Sequence, residues 1–172
     1  LVIYPLAESV AVASVLVGVK RYRPQARQAW LFIAAGLFCF LIADVIWGVY
    51  SARGLDPFPP VSDVFYLGAY PLFAAGLTIA TIRRRSFGVD LRAPIDAAIV
   101  TVIGAILAWV NIITPVLNDD KLSTLERVVT VLYPVADLLL VGVAARFVIG
   151  SSWNIRSLRI LASGFLFLFV GD

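Results

Sequence analysis

The sequence predicts an all-α fold, a polytopic transmembrane bundle of about six helices built from repeated helical hairpins with the N-terminus outside. Three observations carry that expectation. Hydrophobic residues make up 61% of the 172 residues and charged ones 15%, with a mean hydropathy of +0.95, well outside the usual composition of a soluble domain. The apolar residues gather into six runs, 2–19, 29–50, 61–82, 95–117, 128–149 and 158–172, most of them close to the ~20 residues a helix needs to cross a bilayer. None shows the ten-residue alternating strands of a membrane β-barrel.

Charge placement gives the expected topology. Eleven of the fourteen Lys and Arg residues fall in the odd connections: Lys20, Arg21, Arg23 and Arg27 in the first, Arg83, Arg84, Arg85 and Arg92 in the third, Arg146, Arg156 and Arg159 around the fifth. The positive-inside rule then makes the odd loops cytoplasmic in a multi-pass cell-membrane protein. The basic pI reflects topology and lipid-headgroup contact, and no nucleic-acid partner is expected.

The first run opens Tyr4-Pro5, proline suiting the first turn of a helix, and carries Glu8. The second, Ala29 to Tyr50, holds one carboxylate, Asp44, well inside the run, where a lone ionisable group is costly unless it faces a partner, a cavity or water. A connection with three prolines, Gly54 and Asp56 reads as an ordered loop, after which Ser62 or Asp63 is placed to cap the third helix. That helix contains Tyr66, Tyr70, Pro71 and the small residues Ala74, Ala75 and Gly76, which favour close helix contact. Asp96, early in the fourth run, is expected to cap or to pair with Arg92. The stretch 118–127 reads as an acidic loop, and the fifth run sets Asp137 just past Tyr133-Pro134.

An internal repeat underlies this pattern. Residues 32–44, FIAAGLFCFLIAD, align with residues 160–172, ILASGFLFLFVGD, so that Asp44 matches Asp172. Tyr-Pro recurs at residues 4, 70 and 133, and Glu8 and Asp137 each fall three residues after their proline. One membrane domain, 1–172, made of hairpins at about 2–50, 61–117 and 128–172, is the expected organisation, with the interrupted last run marking a piece of a longer chain. Glu8, Asp44, Asp137 and Asp172 lie inside apolar runs with no basic residue at that depth, so each must be protonated, hydrated or bound to something cationic. The expected site is an outward-facing polar pocket of Glu8, Asp44, Asp63, Asp137 and Asp172 with Tyr66, Tyr70 and Tyr133. The alternative role for the same residues is structural, hydrogen-bonding tyrosines and freed carbonyls to hold the bundle.

With no histidine, no methionine and one cysteine, Cys39, the sequence lacks the ligands for haem, copper or structural zinc and a Ser-His-Asp triad. No metal or other cofactor and no catalytic activity are expected of this region, and an internal disulfide is excluded.

The combination of residues 32–50, the proline-rich loop, SDVFYLGAYPLFAAGL and YPVADLLLVGVAARFV resembles the multi-helix N-terminal membrane regions of bacterial, especially actinobacterial, GGDEF and GGDEF-EAL signalling proteins. What the resemblance implies is a sensory or anchoring module, covalently attached to a cytoplasmic cyclic-di-GMP synthesis or hydrolysis domain that dimerises. It carries no active-site residue onto this chain. A small proton- or cation-coupled transporter is the competing expectation, supported by the repeat and the intrahelical prolines but not by the inner half of the bundle, which is nearly bare of polar residues.

Overall fold

The computed structural model describes residues 3–83 and 92–149, with Ile160 and Gly164; the sixth run and Asp172 otherwise lie outside the described residues. Five helical rods make up the described chain. They are α1 (Ile3–Tyr22), α2 (Arg27–Ala52), α3 (Ser62–Arg83), a fourth rod, and α6 (Thr124–Ile149). The fourth rod joins α4 (Arg92–Ala108), a π-helical turn (Trp109–Ile113) and α5 (Thr114–Leu117). Helical backbone angles at Ala108, Ile113 and Thr114 keep it continuous. Five spans are long and apolar enough to cross a membrane, and no strand occurs among the described residues. The large apolar side chains left on the outside, such as Leu6, Val10 and Val17 on α1 and Ile99, Ile103 and Ile106 on α4, are those expected of lipid-facing helices.

Local chemistry explains where the helices begin and end. Pro5 sits in the first turn of α1, and the Ser9 hydroxyl donates to its carbonyl at 2.7 Å. At the end of α2, Gly54 N–H donates to the Ser51 carbonyl and Leu55 N–H to the Tyr50 carbonyl. This is a Schellman motif, and it requires the left-handed φ of +63° that glycine adopts freely. The start of α6 is a capping box. Glu126 N–H donates to Ser123 Oγ at 3.3 Å and Ser123 N–H to Glu126 Oε2 at 2.6 Å. The helix therefore begins at Thr124, four residues before the apolar run does, because polar residues can extend a helix that is capped.

Two expectations about caps are corrected. Ser62 is the first residue of α3 and fully buried, but its Oγ has no hydrogen-bond partner. Asp63 turns its carboxylate to another helix, as described below. Asp96 lies within α4, four residues past Arg92, and is exposed, too deep in the helix to cap it; the Arg92 side chain, its other expected partner, lies outside the described residues.

Contacts order the described helices as a row, α1, α2, α3, α6, α4. Consecutive in sequence, α3 and α4 are not neighbours among the described residues, because α6 lies between them. The tightest seam joins α2 to α3. A Cβ at Gly36 would stand 2.6 Å from the Phe73 ring, and one at Gly76 would stand 2.9 Å from the Ala29 carbonyl oxygen and from Ile33. Glycine here allows the near-contact of backbones that membrane helix pairs exploit. Ala29, Ile33, Ala69, Tyr70, Phe73 and Leu77 form the core of this seam. Phe40 meets Tyr66, Tyr70 and Phe73 edge-on, with centroids 5.4 to 6.4 Å apart, the arrangement ring quadrupoles prefer.

Candidate functional site: two carboxylate–tyrosine links and a cavity

The end of the bundle where α1, α3 and α6 begin collects the acidic residues. There the expected pocket divides into two clusters. In the first, Tyr66 of α3 donates its hydroxyl to Asp44 Oδ1 of α2, linking the helices across the seam. Glu8 of α1 lies within electrostatic reach of Asp44, and Glu8 Oε2 is enclosed with no hydrogen-bond partner. Antiparallel pairing brings these residues together: matching Gly36 with Phe73 places Asp44 beside Tyr66, seven or eight residues further along each helix.

In the second cluster, Tyr133 of α6 donates its hydroxyl to Asp63 Oδ1 of α3 at 2.6 Å. Asp63 is 9% exposed, so the bond is made largely out of solvent. A charged acceptor strengthens such a bond, and burial raises the cost of breaking it. Pro134 follows Tyr133 within α6 and has no N–H for the carbonyl of Thr130.

This second cluster forms part of the wall of a cavity of about 760 Å³, within the range of small-molecule sites. Its walls come from α3, α6 and the fourth rod, with Trp47 at the end of α2. Asp56, Phe58 and Pro60 of the connecting loop line its mouth. The floor is formed by Gly104, Asp137 and Leu138. Asp137 lies thirteen residues past Thr124, about 20 Å along the helix. Beneath the floor α4 and α6 close on each other. A Cβ at Gly104 would touch Leu138 at 3.0 Å, and one at Gly142 would meet the Thr101 hydroxyl at 2.7 Å. Among the described residues the cavity is thus a blind recess reaching about halfway through the bundle.

Of the residues expected to form one pocket, Asp63, Tyr133 and Asp137 line the recess. Glu8, Asp44 and Tyr66 form the neighbouring cluster, and Tyr66 lies within electrostatic reach of both Glu8 and Asp63. Tyr70 is 2% exposed and packs into the apolar seam rather than the recess, and Asp172 falls outside the described residues. Sequence reasoning did not single out Asn111, Thr130 or the loop residue Asp56 as lining groups. Asn111 had a legible signal, being the one amide in the run 95–117. It sits in the π turn, where its Nδ2 donates to the Leu107 carbonyl at 2.8 Å and Thr114 Oγ1 donates to the Trp109 carbonyl five residues back. Such turns often mark functional positions in helices. No group of three or more acidic, cysteine or histidine side chains among the described residues is placed to hold a metal ion. Comparison with protein-family models, with curated proteins and with solved structures finds no match to this chain.

Proposed function

We propose that this chain is the membrane-embedded input or anchoring module of a bacterial signal-transduction protein, regulating an attached cytoplasmic diguanylate cyclase or phosphodiesterase. In this reading the acidic end faces outward, with the basic turns in the cytoplasm. The observation that carries the proposal is the double placement of Asp63, which lines the blind recess and at the same time holds Tyr133 of α6. An occupant that engages the Asp63 carboxylate competes with Tyr133 for it. Binding energy thereby acts on the packing of α3 against α6, which gives the two helix arrangements the differential affinity a sensor needs. A recess that ends at mid-depth suits a receptor better than a conduit, and this favours sensing over transport.

The test uses the complete polypeptide that carries this region. Cellular cyclic-di-GMP is measured for the native protein and for Tyr133→Phe, with membrane insertion followed in parallel. A changed level at equal insertion supports the reading. An unchanged level at equal insertion for both Tyr133→Phe and Asp63→Asn overturns it.

A further inference from the structure

The recess has a definite chemical preference. Asp56, Asp63 and Asp137 contribute carboxylates, and among the described residues no Lys or Arg lines it. Its two hydroxyls have spent their protons, Tyr133 on Asp63 at 2.6 Å and Thr130 on the Glu126 carbonyl at 2.8 Å. Asn111 gives an amide proton to the Leu107 carbonyl, and Pro134 has none to offer the carbonyl of Thr130. What the polar part of the wall offers an occupant is therefore mostly acceptor oxygen. The rest of the wall is apolar and aromatic, with Trp47 and Phe58 near the mouth and Leu107 and Leu138 deeper. Acceptors and carboxylates ask for a cation that donates hydrogen bonds, and aromatic faces near them favour a cation further. Among the described residues no three acids converge as a dedicated inorganic-ion site requires. Apolar walls in a volume of about 760 Å³ leave room for a carbon body.

We propose that the recess binds a small organic amine, its ammonium group held by Asp63 and Asp137 and its carbon chain against the apolar wall. This rests on the reading of the recess as a receptor site and names the ligand class. The ammonium takes the Asp63 oxygen that Tyr133 otherwise holds, so amine binding and the α3–α6 link compete. The amine could arrive as a free solute or as the headgroup of an aminophospholipid.

The experiment is calorimetric titration of the purified full chain in detergent micelles with butylamine and 1,4-diaminobutane, against N-butylacetamide as the neutral counterpart. Saturable binding of the amines and none of the amide is expected. Asp63→Asn and Asp137→Asn should each weaken amine binding roughly tenfold or more, as loss of a hydrogen bond to a charged group implies, while Asp120→Asn, on the exposed α5–α6 loop, leaves it unchanged. Equal binding of amine and amide overturns the proposal, as does the absence of saturable amine binding. Amine affinity unaltered in both recess variants overturns it too. Should a variant lose its helical circular dichroism, the amine–amide comparison on the native chain decides alone. Repeating the titration in nanodiscs separates the two sources: weaker butylamine binding in phosphatidylethanolamine than in phosphatidylglycerol assigns the site to a headgroup, and equal binding assigns it to a free amine. Amine binding without a cyclic-di-GMP response retains this inference and removes the signalling role, whereas the converse result removes this inference alone.

Discussion

Replacing Gly76 with alanine should destabilise the bundle, although alanine is the better helix former. The added Cβ would stand 2.9 Å from the Ala29 carbonyl oxygen and 2.9 Å from Ile33 Cγ1, several tenths of an ångström inside ordinary contact. The carbonyl belongs to the α2 backbone and cannot rotate away, and Ile33 is 3% exposed. Relief thus requires α2 and α3 to separate, which loosens the Gly36–Phe73 contact on the same seam. Overpacking of this kind costs about 1–3 kcal/mol. The helix-propensity gain of Gly→Ala is at most about 1 kcal/mol, so the steric term wins by about 1 kcal/mol. Gly48 and Gly68 serve as controls of opposite sign. Each lies within a helix and has nothing within 4 Å of its added Cβ, so alanine there gains the propensity term alone. Reversible unfolding in mixed micelles, titrated with dodecyl sulfate and followed by far-ultraviolet circular dichroism, reads all three. A Gly76→Ala protein as stable as the native one, or moved in the same direction as Gly48→Ala, would refute the close approach of α2 and α3.

Tyr66→Phe removes the donor to Asp44 and should lower stability in the same assay by about 0.5–1.5 kcal/mol, the range for hydrogen bonds between membrane helices; Asp44→Asn in the Tyr66→Phe background should then cost little more, and full additivity would show that the two residues do not interact. Ser123→Ala breaks the capping box at the start of α6 and should cost about 1 kcal/mol, with Glu126→Ala and Ser123→Ala sub-additive because each removes half of one reciprocal pair. Thr124, exposed and next in sequence, should tolerate alanine within about 0.5 kcal/mol.

The fold class was legible because a bilayer imposes a length and a composition that can be counted directly in the chain. Runs 2–19, 29–50, 61–82, 95–117 and 128–149 correspond to the five spans, with ends displaced by up to four residues where caps rather than hydropathy set the boundary. Ser123 to Glu126 carried such a cap in plain letters; the apolar run simply began later. Asp44 and Asp63 stood out because a carboxylate in or beside an apolar helix is costly unless its surroundings compensate it, a rule that needs no coordinates. Which partner compensates each one was a matter of packing. The α2–α3 register, fixed by Gly36 on Phe73 and Gly76 on Ala29, brings Tyr66 to Asp44. Insertion of α6 between α3 and α4 brings Tyr133, seventy residues away in the chain, to Asp63. The same insertion makes the recess, while the α2–α3 seam holds Tyr70 against Phe40, away from the recess. Hydropathy is local and can be read residue by residue. Helix neighbourhood depends on shape complementarity between faces far apart in sequence, and for this chain only the tertiary structure decided it.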